Sequence, residues 1–81
     1  MISCDQHDYI EIACMYRYPI RISLKSNSTI DCTAIDTHQN EHRNECIKVE
    51  FNGIEKLIVL NDIDKIEVLI DNPHFNYVSF D

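Results

Sequence analysis

The chain has 81 residues, 44% of them hydrophobic, which is enough apolar material for one small core and too little length for two. We therefore expect a single domain over residues 1–81. Fourteen acidic residues against seven basic ones give a formal net charge of −7, which disfavours direct binding of nucleic acid and favours a cationic partner. The sequence has no apolar run of membrane-spanning length and no signal-peptide pattern, so we expect a cytoplasmic location and no membrane partner.

The N-terminal segment has the pattern of a helix over about residues 5–16. Asp8 followed by Glu11 has the spacing of a capping box, and Asp5 is an alternative N-cap. The partial positive charge at a helix start stabilises these carboxylates. This favours a helix over the strand that the alternating isoleucines of the segment also allow.

Five short segments then alternate apolar and polar side chains, as half-buried strands do. Asn52-Gly53, a strong hairpin signal, separates the third from the fourth, and the tail at 71–81 offers a possible edge strand near its end. Closure of such a meander removes exposed strand edges. The predicted fold is therefore mainly β with one N-terminal α-helix and a small, five-stranded, Sm-like (SH3-like) β-barrel. The predicted strands lie at 19–24, 30–36, 47–51, 54–60 and 63–70.

The sequence lacks the usual signatures of catalysis, namely a glycine-rich phosphate loop, a nucleophile elbow and a Cys-x-x-Cys pair. His38 and His42 are four residues apart, but their polar surroundings indicate a loop and not a metal-binding helix. Cys4 and His7 are close in sequence without any sign of an oxyanion hole. We predict a non-catalytic protein without metal or cofactor, whose four cysteines are reduced and mostly buried.

Three carboxylates form the clearest candidate for a binding surface. Asp5, Asp8 and Glu11 recur every three residues, which on a helix places them along one face that suits Arg and Lys side chains of a partner. Helix capping explains two of them as well, and the two roles are compatible. Neighbouring side chains that can donate hydrogen bonds or stack are those of Gln6, His7 and Tyr9.

The segment 2–14 resembles the opening motif of the Rho-binding antiterminator (Rof) family, which has Cys-Asp, then Asp, then Leu or Ile followed by Glu, then Ala-Cys. The apolar strand at 20–24, Ala34 and Asp36 before a polar loop, and the segment 60–63 follow in the family's order, so the resemblance covers nearly the whole chain. It implies an Sm-like barrel with an N-terminal helix. It also implies a protein that binds transcription termination factor Rho at its N-terminal RNA-binding domain, blocks RNA access and so inhibits termination.

Two positions in the N-terminal motif depart from the family's pattern, since His7 replaces an expected Tyr and Tyr9 replaces a common polar residue. The first hairpin also departs from it, with Ser26-Asn27-Ser28 in place of a glycine-bearing turn. Protonation of His7 would add a positive charge among the acids and weaken attraction to a basic partner. We expect a monomer when free. An alternative, an Sm-like RNA-binding module, needs a basic surface that seven scattered Lys and Arg residues do not provide. The expected contacts with Rho are Cys4, Asp5, Gln6, His7, Asp8, Tyr9 and Glu11, with Arg43 and Asn44 of the polar loop as a second contact.

Overall fold

In the computed structural model, which describes residues 3–80, one helix precedes six strands. A short 3-10 turn, Leu60–Asp62, joins the fourth strand to the fifth. Ile2, which begins the N-terminal motif, and the terminal residues of the expected domain lie outside the described part. The elements are α1 Cys4–Met15, β1 Pro19–Leu24, β2 Thr29–Gln39, β3 Glu45–Phe51, β4 Ile54–Val59, β5 Ile63–Val68 and β6 Tyr77–Ser79.

Ser3 caps α1. Its hydroxyl oxygen accepts the backbone N–H of Gln6 at 3.2 Å, and the Gln6 side-chain oxygen accepts the backbone N–H of Ser3 at 2.8 Å, which completes a capping box. The predicted helix is confirmed, but the prediction that Asp8 or Asp5 caps it is wrong. Because α1 begins at Cys4, Asp5 lies in the first turn and Asp8 in the second, and neither carboxylate is the N-cap.

The six strands form one antiparallel sheet in the order β4-β3-β2-β1-β5-β6. Strand β2 has 11 residues and takes part in two pairings, its first half with β1 and its second half with β3. A register shift between Ala34 and Asp36 lies where β2 changes partner, and such irregularities bend a strand. The predicted hairpin turn at Asn52-Gly53 is confirmed, with φ angles of 53° and 80°.

The mainly β class with one N-terminal helix is confirmed, but the closed five-stranded barrel is not. The sheet of residues 3–80 has six strands and is open, with β4 and β6 at its edges. Closure would require β4 to pair with β5, and the turn Leu60–Asp62 lies between them instead, with Leu60 buried in the core. Strand β5 pairs with β1 on one side and β6 on the other, so neither of its edges is available to β4. The tail does supply the expected edge strand.

The core forms between the sheet and α1, which lies against β2 and also contacts β6. Alternate positions of β1 point into it, as the sequence pattern predicts. None of the helices formed by residues 3–80 is long and apolar enough to cross a membrane. Because α1 buries one side, its other side is held facing solvent. The buried core residues are Ile10, Ala13, Cys14, Ile20, Ile22, Cys32, Ala34, Ile47, Val49, Ile58, Leu60, Ile63, Ile66 and Val78.

Candidate interaction surface

The solvent-facing side of α1 carries the three predicted carboxylates. Asp5, Asp8 and Glu11 are exposed, because the helix turns Ile10 and its neighbours on the same side into the core. Among residues 3–80, neither Asp5 nor Asp8 forms an ion pair. Cys4 is exposed on the same helix. The helix therefore presents negative charge that the rest of the described fold does not neutralise through direct contacts.

His7 connects α1 to the beginning of β3. Its Nε2 lies 2.9 Å from Oε2 of Glu45, and its Nδ1 lies 3.8 Å from Oε1 of Glu11. Both ring nitrogens thus face carboxylates, and a protonated imidazole has an N–H for each of them. The Glu45 contact spans 38 positions in sequence, and sequence reasoning did not identify it.

The connection between β2 and β3 is shorter than the polar loop expected between the predicted strands at 30–36 and 47–51, because Thr37–Gln39 belong to β2. The side-chain oxygen of Asn40 accepts the backbone N–H groups of His42 and Asn44, at 2.9 and 3.0 Å, and this closes a tight turn. Arg43 and Asn44 are exposed and line a cleft together with His7. The structure therefore brings the predicted second contact next to the N-terminal helix.

The His7–Glu45 contact lies between two clefts, of about 510 and 630 Å³. Both clefts share His7, Glu45 and Leu60 as walls. Polar atoms and a few apolar side chains therefore meet in a concave surface beside α1. The first cleft is also lined by Thr37, His38, Gln39 and Cys46, and the second by Arg43, Asn44, Val59 and Asn61.

Besides His7 and Glu11, two more of the predicted contact residues have partners within the fold. The side-chain nitrogen of Gln6 donates to the backbone oxygen of Ser79 at 2.7 Å, in addition to its role in the capping box. The ring of Tyr9 lies against that of Phe75, with centroids 4.9 Å apart. These contacts fix α1 against the C-terminal segment, so Gln6 and Tyr9 help to set the orientation of the acidic surface.

All four cysteines are free, as the sequence predicts. Burial raises the pKa of Cys14 to about 12, with the nearby carboxylates Asp36 and Glu11 acting in the same direction. Burial also raises the pKa of Cys32 to about 11, with a further contribution from Asp31. Both thiols are therefore neutral at physiological pH, which does not suit a nucleophile.

The seven basic residues are spread over different elements of the described fold. Three of the seven pair with carboxylates, since Arg21 lies 2.7 Å from Asp31 and Lys48 and Lys65 have similar partners. The other four lie in separate connections or strands. Likewise, residues 3–80 contain no group of three or more His, Cys, Asp or Glu side chains arranged to hold a metal ion. The basic residues without an ion pair in this part of the chain are Arg17, Lys25, Arg43 and Lys56.

Comparison with known proteins identifies the family. Residues 1–80 match the family model described as modulator of Rho-dependent transcription termination (ROF). The fold is similar to that of YaeO bound to magnesium from Vibrio cholerae O395, with a TM-score of 0.86 and 31% sequence identity, over 91% of this chain and 96% of that one. No curated protein sequence gave a match. The chain therefore belongs to the ROF family of modulators of Rho-dependent transcription termination.

Proposed function

We propose that this protein inhibits Rho-dependent termination by binding the N-terminal RNA-binding domain of Rho and blocking the access of RNA. It acts in the cytoplasm as a monomer when free, without catalysis and without a cofactor. The observation that carries the proposal is the exposed row of carboxylates on α1, of which Asp5 and Asp8 have no ion-pair partner among residues 3–80. The family description supplies the connection to termination.

Electrostatics supports competition at an RNA site. A surface that binds RNA phosphates carries Lys and Arg side chains, and an acidic protein surface is attracted to the same groups. The net charge of −7 adds long-range attraction to such a surface and opposes direct binding of RNA by this chain. Three of the seven basic side chains are paired with carboxylates, which supports the RNA-binding alternative poorly.

We propose that the contact surface has two parts, on either side of the His7–Glu45 contact. The helical part provides most of the negative charge, and the β2–β3 turn provides hydrogen-bonding groups. Gln6 and Tyr9 act mainly by holding α1 in place through Ser79 and Phe75. The direct contacts with Rho in this proposal are Cys4, Asp5, His7, Asp8 and Glu11 of α1, with Arg43 and Asn44 of the turn.

Reconstituted transcription with purified RNA polymerase, Rho and a Rho-dependent terminator tests this function. Addition of the protein should increase the fraction of full-length transcripts, and additional Rho should reverse the effect because the protein acts on Rho. A terminator that works without Rho is the control and should not respond. Unchanged Rho-dependent termination, with the protein in excess over Rho, would exclude the proposal.

A further inference from the structure

The first cleft beside α1 has the chemistry of a site for a cation. Its seven described lining residues include no Lys or Arg, and they offer oxygen acceptors from Thr37, Gln39 and Glu45. Cys46 and Leu60, both buried, provide an apolar surface against which an aliphatic stem can lie. A volume of about 510 Å³ leaves room for a long side chain.

The carboxylate of Glu45 is the anion of this cleft and is 55% exposed as a side chain, so a partner can reach it. Its present contact is the imidazole of His7, at 2.9 Å. Neutral imidazole is a weak competitor for a carboxylate, whereas imidazolium forms a charge-assisted hydrogen bond. The availability of Glu45 to an incoming cation therefore depends on the charge of His7.

We infer that this cleft receives a Lys or Arg side chain of the partner, with Glu45 as its counter-ion and with His7 and His38 as the groups that oppose its entry at acidic pH. This inference rests on the proposed function, since it describes how the same partner is held. It adds Glu45, His38 and the cleft to the contact surface, which the sequence pattern confined to α1 and the β2–β3 turn.

The charged groups that face His7 determine the sign of the pH effect. Glu11 on α1 and Glu45 on β3 lie against the ring of His7, and His38 on β2 and Arg43 in the turn line the clefts that it shares. Histidine side chains change charge between about pH 5 and pH 8. With a protonated imidazole, His7 carries a positive charge and retains Glu45, and protonated His38 likewise repels a cation. Binding of a basic side chain should therefore weaken as pH falls.

The test measures the dissociation constant for purified Rho at about pH 8 and about pH 6, at constant ionic strength. Glu45→Gln removes the charge but keeps an oxygen that can accept from His7, so the fold should persist. We expect it to bind about tenfold more weakly than the native protein at pH 8, since close charge pairs at interfaces reach this size. Glu50→Gln, at an exposed residue five positions further along β3, is the matched control and should bind normally.

A second variant distinguishes the pH effect of the two histidines from that of groups on Rho that also change charge with pH. In the native protein the affinity should fall about fivefold or more from pH 8 to pH 6, and the double variant His7→Gln with His38→Gln should lose most of that fall. Because Rho is the same in both measurements, a difference in pH dependence between the native protein and the variant arises from this chain. Native affinity for Glu45→Gln at pH 8, or an unchanged pH dependence in the double variant, would overturn the inference while leaving Rho binding intact. Absence of any binding by the native protein would instead refute the proposed function itself.

Discussion

Reversal of the charge at Asp8 should abolish most of the affinity for Rho without affecting the fold. Asp8 is exposed in the second turn of α1, and it has neither an ion pair among residues 3–80 nor a capping role. Substitution at such a surface position changes stability by about 0.5 kcal/mol or less. At an interface with a basic partner, Asp8→Lys replaces an attraction by a repulsion. A cost of about 1.5–3 kcal/mol corresponds to a loss of roughly 10- to 100-fold in affinity.

Fluorescence anisotropy of the labelled protein with purified Rho measures this loss, and thermal unfolding confirms the fold. Glu50→Lys is the matched control, because it makes the same change in net charge on an exposed residue of β3. It lies five residues beyond Glu45, which is about 17 Å along the strand. The difference between the two variants should shrink when salt is raised from about 0.05 to 0.5 M. Equal affinities for Asp8→Lys and Glu50→Lys would refute the role of the acidic surface.

Two further predictions concern the fold. Ile66→Ala, at a core position 1% exposed, should lower the free energy of unfolding in urea by about 2–5 kcal/mol, whereas Ile70→Ala, at a half-exposed site, should change it by about 0.5 kcal/mol. Equal effects would contradict the described core. In the folded protein, burial raises the pKa values of Cys14 and Cys32 above the ordinary value of 9.0. These two thiols therefore contribute fully to the free energy of unfolding below about pH 9, and their contribution is lost as pH rises towards 11–12. Thermal unfolding should show this loss of stability at alkaline pH, and replacement of both thiols by Ala should make the loss smaller. An unchanged loss in that variant would contradict its origin in the two thiols.

Strand β1 could be predicted from the sequence because burial alternates along it. In β1, Ile20 and Ile22 are buried while Arg21 is exposed, and this alternation requires no knowledge of the partner strand. The hairpin at Asn52-Gly53 is equally local, since the two residues themselves adopt the required backbone angles. Local patterns therefore identified the elements and their order.

The N-cap of the helix was misassigned, although the helix itself was predicted and the capping signal is also local. Ser3 and Gln6 form the capping box, but the carboxylates that recur every three residues offered two further starts with the same kind of spacing. The patterns alone could not separate these starts. Because the helix begins at Cys4, the carboxylates of its second and third turns lie too far along it to act as N-caps.

Closure and the cleft could not be predicted, because both depend on contacts distant in sequence. The sheet is open because Leu60–Asp62 forms a turn and β6 pairs with β5. The alternation of apolar and polar residues along a strand predicts neither the turn nor this pairing. Similarly, His7 reaches Glu45 across 38 positions. An acidic residue before a strand carries no local sign that it will face a helix. The sequence alone therefore proposed a surface on α1 and did not include the neighbouring cleft.

Displacement of RNA from Rho tests the central claim most directly. Labelled single-stranded RNA bound to purified Rho is titrated with this protein at low and at moderate salt, and the release of RNA is followed. We expect complete release at low salt and a higher protein concentration for half-release at moderate salt, because screening weakens the attraction of an acidic surface to a basic site. Binding of the protein to Rho with the RNA still in place would contradict competition for the RNA site.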